Sequence, residues 1–199
     1  MNYVLCQAGA FLVWFAYGSF FEWWFHKYLF HSPKLIRATF EAHDRVHHVN
    51  YGDKESYDMP CATDPEGEHI SMDWFALPIF VGVHFPIIFA VQWLTKIPMV
   101  WGGCLAIGVY YVMYETVHYF MHIPRNRWIE GTKLYKFLNE HHRIHHKYTN
   151  KNLNVLVPLA DAVMRTLVVK KRSPSTTFAI SETVELRRGT VAAKRSVQE

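Results

Sequence analysis

The stretch HHRIHH, residues 141–146, places four histidines within six consecutive positions. Protonated histidines crowded on a surface would repel one another, and a hydrophobic core rarely needs more than one imidazole. Neutral imidazole is a good ligand for Fe, Zn, Cu and Ni. The stretch therefore indicates metal binding, and the other histidines of the chain show how such a site would be assembled.

Eleven of the 13 histidines fall into four groups along the chain. The groups are HKYLFH (His26, His31), HDRVHH (His43, His47, His48), HYFMH (His118, His122) and HHRIHH (His141, His142, His145, His146). His69 is interpreted as a loop residue and His84 as a core or cavity histidine, so both are left out of the site. If one of the adjacent pair His141/His142 is left out, ten imidazoles remain, which are too many for one ion and suit two ions with four or five ligands each.

Three apolar blocks are long enough to cross a bilayer as helices of roughly 20 residues. They run from about Tyr3 to Phe25, from about Trp74 to Leu94 and from about Pro98 to Met121. Only residues 95–97 separate the last two blocks, which predicts a tight hairpin. We therefore predict an all-α integral membrane protein with three, or at most four, transmembrane helices. The alternative is buried helices of a soluble protein, which Pro78, Pro86 and His84 in the second block would suit.

Lysine and arginine are distributed unevenly around these blocks. Five lie between the first and second blocks and 15 follow Met121, whereas the hairpin carries only Lys96. Because cytoplasmic segments carry an excess of Lys and Arg, residues 26–73 and the C-terminal part are predicted to be cytoplasmic. All four histidine groups then lie at or beyond the inner ends of the spans, where a cytoplasmic helical cap would hold a dimetal site.

The cytoplasmic parts are predicted to be helical, with Ser, Thr or Pro at each helix start. The three predicted helices run from Ser32-Pro33 to about His48, from Thr132 to about His146 and from Pro158 to about Val169. Residues 1–170 are interpreted as a single membrane domain and residues 171–199 as a mobile polar tail. The three cysteines show no CxxC spacing, so neither a thiolate metal site nor a disulfide framework is expected.

Helical spacing indicates which rings can share an ion. Two pairs lie four residues apart and therefore on one helix face: His43/His47 and His118/His122. His26 and His31, five apart, fit a helix end or an unwound turn better. In HHRIHH the side chains of His142, His145 and His146 would lie within about 100° of one another around the helix axis, and adding His141 widens that angle. We therefore prefer His142 to His141 as the ligand.

Two carboxylates accompany the histidines. Glu22 precedes His26 by four residues, and Glu115 precedes His118 by three residues inside an apolar span. Such carboxylates can accept the free ring N–H of a ligand histidine and fix its tautomer, or can bind the metal directly. The predicted ligands are His26, His31, His43, His47, His48, His118, His122, His142, His145 and His146, with His141, Glu22 and Glu115 as further candidates.

The histidine pattern resembles the fatty acid hydroxylase superfamily, which includes sterol desaturases and carotenoid hydroxylases, and more widely the histidine-box membrane desaturases. The boxes HX(3–4)H, HX(2–3)HH and HX(2–3)HH are matched by His26/His31, His43/His47/His48 and His142/His145/His146, and an additional HX3H by His118/His122. The stretch NVLVPLADAVMRTL, residues 154–167, is similar to the one that follows the last box in that family. The resemblance covers about residues 20–170 and adds Asp44 and Asp161 as possible ligands or partners of ligands.

The resemblance implies a non-haem oxygenase with two Fe ions that uses O2 to hydroxylate an unactivated C–H bond of a lipid. Zn could occupy the same ligands in purified protein. A desaturase or a sterol or carotenoid oxidase is an alternative with the same kind of site. A metal transporter or metal-binding membrane protein is an alternative from another class.

The same reading predicts the partners and the location. Electrons are expected from a separate cytochrome b5-like protein or a ferredoxin with its reductase, and no nucleic-acid partner is expected. A basic surface could dock an acidic redox protein, or could reflect the topology or anionic lipids; it comprises Arg125, Arg127, Lys133, Lys136 and Lys147. The predicted location is a bacterial inner membrane, with the histidine site and the C-terminus in the cytoplasm.

Overall fold

The computed structural model describes residues 2–52, 56–58 and 70–169, and every regular element within them is helical. The α-helices are α1 (Tyr3–Phe25), α2 (Arg37–Phe40), α3 (His48–Asn50), α4 (Ala76–Thr95), α5 (Val100–His122), α6 (Lys133–Lys147) and α7 (Leu159–Val163). Two π-helices, His26–Phe30 and Glu41–His47, and a 3₁₀ turn, Trp128–Gly131, complete the order. The predicted all-helical class is confirmed. His69 and the predicted tail at 171–199 lie outside the described residues.

Helices α1 and α4 both pack against α5 and form an apolar core with it. Trp14, Ile88 and Ala106 are buried at the centre of this core. The contact between α1 and α5 is very close at Gly102, where an added Cβ would lie 2.1 Å from the carbonyl oxygen of Gln7. Glycine at this position therefore lets the two helices approach, and the Gly102 N–H donates to Gln7 Oε1 at 2.7 Å.

Two helical stretches, Tyr3–Phe30 and Ala76–Thr95, are long and apolar enough to cross a membrane. Large apolar side chains along them are exposed, among them Leu12 at 69% and Trp93 at 63%. A soluble helix of this composition would normally bury such residues, and lipid tails would cover them. Helix α5 has the length of a span, with 23 residues, but it contains Glu115 and buries more of its surface. The third span stays a prediction, as does the side of the membrane on which the cap lies.

The connection between α4 and α5 is the predicted tight hairpin, which is confirmed. Lys96 adopts a left-handed backbone with φ of 59° and its N–H donates to the carbonyl of Gln92 at 2.8 Å. The side chain of Gln92 then accepts hydrogen bonds from the N–H groups of Met99 and Val100 at 2.7 and 3.1 Å. The amide thereby satisfies backbone donors that the start of α5 would otherwise leave unpaired.

The predicted helix from Ser32 to His48 is wrong in its start and in its type. The chain turns between residues 31 and 36, α2 begins only at Arg37, and residues 41–47 are π-helical. The hydroxyl of Thr39 donates to the carbonyl of Leu29 at 2.9 Å, which holds this segment back against the first π-helix. A long-range contact therefore overrides the local helix-start signal of Ser-Pro.

Helix α6 begins and ends as predicted, whereas α7 is shorter than predicted. Thr132 caps α6, its hydroxyl accepting a hydrogen bond from the N–H of Tyr135 at 3.2 Å. Helix α7 ends at Val163 rather than near Val169, because Arg165 adopts a left-handed backbone with φ of 59°. The N–H groups of Thr166 and Leu167 then both donate to the carbonyl of Asp161, which closes the helix end.

Candidate metal centre

Ten histidine side chains lie together in two groups of five, and within each group the candidate ligand atoms all lie within 4.8 Å of one another. The first histidine group is His26, His31, His43, His48 and His145. The second histidine group is His47, His118, His122, His142 and His146. These are the ten histidines that the sequence predicted as ligands, and among the described residues no carboxylate or thiolate joins either group.

The backbone of the two π-helices explains the membership of the first group. A π-helix closes its hydrogen bonds over five residues rather than four, so side chains five apart lie on the same side. The N–H of His31 donates to the carbonyl of His26, and the N–H of His48 donates to that of His43. The four-residue spacing predicted that His43 and His47 share a helix face, but His43 groups with His48 and His47 joins the second group.

Two α-helices supply most of the second group. His118 and His122 are four residues apart on α5, and His142 and His146 are four apart on α6. His145, on the same α6, points instead to the first group. Helix α6 therefore contributes rings to both groups, and the four-residue spacing that failed for His43 and His47 holds where the helix is α-helical.

The Nε2 atoms of the first group converge on a common point. His26 and His43 bring their Nε2 atoms to 3.0 Å, His31 and His145 to 3.1 Å, and His48 lies 3.2 Å from both His43 and His145. Imidazole nitrogens that bind one ion at about 2.0–2.1 Å lie roughly 3.0–3.4 Å apart. The separations in the first group therefore fit ligands of a shared metal ion.

The positions of the ring protons support the same conclusion. The Nδ1–H of His145 donates to the carbonyl of Lys151 at 2.9 Å. The Nδ1–H of His31 donates to Asp44 Oδ1 at 2.8 Å. A neutral imidazole carries only one N–H, so the Nε2 atoms of both rings present lone pairs. Two lone pairs at 3.1 Å repel each other unless a cation lies between them, and a metal ion would resolve that repulsion.

The second group is more enclosed than the first, because all five of its rings are buried. His142 Nε2 lies 3.2 Å from His122 Nε2 and 3.0 Å from His146 Nε2. Both ring nitrogens of His47 are buried without a hydrogen-bond partner among the described residues. Burying a polar group without a partner is unfavourable, and a metal ion in this group would satisfy His47.

The surroundings keep the rings in the neutral form that binds metal. Burial of the ring, followed by the proximity of His31, lowers the pKa of His145 to about 3. Burial and then His122 lower the pKa of His47 well below its usual value, and burial and then His118 do the same for His142. At neutral pH these histidines are therefore uncharged and their lone pairs are available to a cation.

Tyr57 supports the second group and was not singled out by the sequence. Its carbonyl accepts a hydrogen bond from the Nδ1–H of His122 at 2.7 Å, which turns the Nε2 lone pair of that ring towards the group. The phenol is buried, its hydroxyl donates to Asn139 Oδ1 at 2.9 Å, and the Arg143 guanidinium lies 4.2 Å from the ring centroid. A backbone carbonyl leaves no residue-type signal, so no sequence pattern could have found this contact.

His141 and Asp161 form a buried hydrogen-bonded pair outside both groups. The Nε2–H of His141 donates to Asp161 Oδ2 at 3.0 Å, and the N–H groups of Leu153 and Asn154 also donate to the carboxylate. Burial alone would raise the pKa of Asp161, but the hydrogen bonds from His141 and Thr166 outweigh it and lower that pKa. Neither residue is placed as a ligand; together they hold the 152–167 segment against α6.

Of the other predicted carboxylate partners, Asp44 contacts a ligand ring, whereas Glu22 and Glu115 bond other residues. Asp44 contacts a ring nitrogen of His31, as a partner of a ligand should. Glu22 does not contact His26; it accepts hydrogen bonds from the Tyr110 hydroxyl, from Asn154 Nδ2 and from the Val155 N–H. Glu115 accepts the N–H of Met72 at 3.0 Å and belongs to neither group. Neither Glu22 nor Glu115 therefore takes the place predicted for it as a ligand or as the partner of a ligand ring: Glu22 pairs with Tyr110, Asn154 and Val155, and Glu115 pairs with Met72.

A narrow cavity of about 60 Å³ lies between α1, α4 and α5 and reaches the first group at His26. Its walls are largely aromatic, with Phe21 and Phe25 from α1 and Phe80 from α4. His84 also lines it, so the prediction of a core or cavity histidine is confirmed. None of the rings of the second group lines this cavity.

Comparison with protein families matches residues 11–166 to the model of the fatty acid hydroxylase family. Comparison with curated proteins and with solved structures gives no match. The class defined by the fold and the site is a helical, membrane-associated protein whose two histidine groups can hold metal ions. The chain belongs to the fatty acid hydroxylase family, which indicates a lipid oxygenase-type function.

Proposed function

We propose that this protein is a membrane-bound, O2-dependent di-iron oxygenase that hydroxylates an unactivated C–H bond of a lipid. The observation that carries the proposal is the pair of five-histidine groups beside an apolar cavity. Ten neutral imidazoles with converging nitrogens need cations, and the apolar cavity suits a lipid chain. The family match, over 11–166, supports the same reaction class.

The donor set favours iron as the working metal. Imidazole suits Fe, Zn, Cu and Ni, and nitrogen ligands alone leave an iron ion redox-active. Bound iron would supply the activation of O2. The five imidazoles of each group would hold one ion. Zn would bind the same nitrogens, and its presence in a preparation would not contradict the proposal.

The chain's own residues hold the ligands and exclude water from the site. Asp44 and the carbonyls of Lys151 and Tyr57 fix the ring protons at Nδ1 in His31, His145 and His122. The aromatic walls of the cavity keep the approach to His26 dry. A rigid, water-poor site keeps a strong oxidant directed at the substrate.

The membrane topology and the electron donor are further parts of the proposal. The histidine groups would lie at the cytoplasmic face of a bacterial inner membrane, in agreement with the distribution of Lys and Arg. A cytochrome b5-like protein or a ferredoxin with its reductase would dock on exposed basic residues: Arg125, Lys133, Lys136 and Lys147. Arg127 is less suited to docking, because it pairs with Glu130 at 2.6 Å and covers the ring of Phe120.

Two alternatives make different predictions. A desaturase or a sterol or carotenoid oxidase would use the same histidines and differ only in the product. A metal transporter would be expected to place ligands along a path through the bilayer, whereas the two groups lie at helix ends and in the segments that follow them. The hydroxylase therefore remains the function that the site supports best.

The decisive experiment combines metal analysis with lipid mass spectrometry. Protein expressed with ample iron and purified gently should contain about two iron atoms per chain. Cells with the gene should contain a lipid that has gained one oxygen relative to cells without it. A lipid that has lost two hydrogens would establish desaturation instead. Well-folded protein that holds one metal ion or none would contradict the dinuclear site.

A further inference from the structure

The cavity next to the first histidine group is lined by a histidine that the metal site does not use. Most of the cavity wall is apolar or aromatic. Of the one carboxylate and two histidines in the lining, Glu22 is bound by Tyr110, Asn154 and Val155, and His26 belongs to the first group. His84 has neither role. Its side chain lies in the middle of α4, where all the other residues from 76 to 91 are apolar.

One nitrogen of His84 is paired and the other is not. Its Nδ1–H donates to the carbonyl of Phe80 at 2.7 Å, four residues earlier on α4. The neutral ring carries one proton, so Nε2 presents a lone pair and can only accept a hydrogen bond. Nε2 is buried and has no partner among the described residues, while the whole residue is 1% exposed. A buried acceptor without a partner is unfavourable and marks a position where a donor would bind.

We infer that His84 Nε2 accepts a hydrogen bond from a hydroxyl group of the lipid substrate, so that the substrate is an apolar lipid that already carries a hydroxyl. This inference rests on the proposed function. The rings of Phe21 and Tyr17 lie against His84, with centroids at 4.5 and 5.6 Å. They restrict the rotation of the ring, which lies at the cavity wall.

The same geometry disfavours other head groups. A carboxylate or an ester offers only acceptor oxygens, and these would face the Nε2 lone pair. Protonating His84 to bind a carboxylate would place a charged pair among the aromatic rings of Phe21, Phe25 and Phe80, which is costly. A neutral hydroxyl donor satisfies His84 without introducing a charge.

The position of His84 relative to the first group sets where oxidation would occur. Phe21 touches His84, and His26 lies five residues further along the same helical stretch. At 1.5 Å per residue that separation is roughly 7 Å along the helix. A lipid anchored by its hydroxyl at His84 would therefore present a carbon several bonds away from that hydroxyl to the first group.

Competitive photolabelling tests this inference without requiring turnover. Iron-loaded full-length protein in lipid nanodiscs would be labelled with a long-chain alcohol that carries a diazirine. 1-Hexadecanol, its methyl ether and palmitate would serve as competitors, since only the alcohol can donate. We expect labelling of the peptides that contain residues 17–26 and 80–84, and competition by the alcohol at about tenfold lower concentration than by the ether or palmitate, as for one hydrogen bond.

Variants of α4 separate the hydrogen bond from general packing. His84→Leu should remove the preference for the alcohol, and His84→Gln, whose amide oxygen accepts a hydrogen bond, should retain part of it. Phe85→Leu is the matched control, because Phe85 is 48% exposed and does not line the cavity; it should leave the preference unchanged. If His84→Leu fails to fold, the competition series on the wild-type protein decides, because equal competition by the alcohol and its ether would overturn the inference.

Iron measured on the same samples separates a failure of the His84 inference from a failure of the oxygenase proposal. Two irons with equal competition by alcohol and ether would overturn the role of His84 and leave the oxygenase proposal intact. Loss of the irons from wild-type protein would contradict the oxygenase proposal itself. Stronger competition by palmitate than by the alcohol would show that His84 binds as an imidazolium, and would also overturn the inference.

Discussion

The first and second histidine groups use the same ligand type but are built by different backbones. The first depends on two π-helical segments, includes two half-buried rings and borders the apolar cavity through His26. The second takes four rings from four-residue steps along α5 and α6 and the fifth, His47, from the end of the second π-helix, and it is wholly buried. The comparison teaches that regular α-helices supply most of the closed group, whereas π-helical segments supply most of the group that borders the cavity. Such π-helical segments are frequent at functional sites.

Removing one ligand from each group should have the largest effect. His145→Ala takes a donor from the first group and His47→Ala from the second. We expect turnover to fall by more than about 100-fold in both, since even the loss of a partner of a ligand costs roughly 10–100-fold. Iron should fall from about two atoms per chain towards one in each variant. Metal analysis and lipid mass spectrometry measure the two effects.

The control is Trp128→Ala, which changes a residue that is 84% exposed in the 3₁₀ turn. It should keep both irons and full turnover. Loss of both irons from each histidine variant would show that the two groups bind metal as one unit. Retained turnover in either variant would remove that residue from the ligand set.

The next prediction concerns Asp44, which supports only the first group. Asp44→Ala removes the acceptor for the His31 Nδ1–H, so we expect iron affinity to fall about 10–100-fold for one of the two ions. Asp44→Asn keeps an acceptor oxygen and should recover part of the affinity. Titration with a coloured chelator measures this. Equal weakening of both ions would contradict the separation of the groups.

Glu41→Ala is the matched control for Asp44. Glu41 lies on the same π-helix, and its partner is Arg37, at 2.7 Å, both on the exposed surface. Exposed ion pairs contribute little to stability, so this variant should bind both irons as tightly as the wild type.

The metal-free protein should lose stability as the pH falls. The folded pKa of His47 is lowered, and that of His145 is about 3. The unfolded chain therefore binds more protons once the pH falls below about 6.5, the ordinary histidine value. Below that value each such histidine lowers the free energy of unfolding by about 1.4 kcal/mol per pH unit. The stability is thus present near pH 7.5 and is lost progressively towards pH 3.

This loss of stability can be measured as the change in the unfolding temperature of metal-free protein in detergent between pH 7.5 and pH 5.5. Variants in each histidine group then show which group contributes more to the pH dependence. His47→Gln should flatten the pH dependence more than His31→Gln, because Asp44 offsets part of the lowering of the His31 pKa. A stability that does not change between the two pH values would contradict buried neutral rings in both groups.

The smallest effect is expected at Thr132, which caps the helix that serves both groups. Thr132→Ala removes the hydroxyl that accepts the Tyr135 N–H and should lower the free energy of unfolding by about 1 kcal/mol. Thr132→Ser keeps the hydroxyl and should restore most of it. Both groups should lose metal affinity to the same small extent, because α6 carries ligands of each. Weakening of one group alone would show that α6 is not a common support.

The sequence anticipated much of the fold where local signals suffice. The apolar blocks, the hairpin at Lys96 and the cap at Thr132 all rest on neighbours within a few residues, and the structure contains them. Two helices differ from the prediction. Helix α7 ends early at the left-handed Arg165, where Thr166 and Leu167 donate to the carbonyl of Asp161, and the predicted helix from Ser32 starts late, where Thr39 bonds the carbonyl of Leu29 ten residues earlier; neither turn has a residue-type signal in the sequence.

By itself, the sequence determined which ten histidines gather, because their residue type and their crowding at the ends of apolar blocks are visible in one dimension. Their role as metal ligands stays a prediction. Only the tertiary structure decided which five rings form each group, and which residues hold them. The physical reason is that ring direction depends on whether a turn closes over four or five residues, and on carbonyls such as those of Tyr57 and Lys151. Backbone hydrogen bonds set both, and no side-chain pattern encodes them.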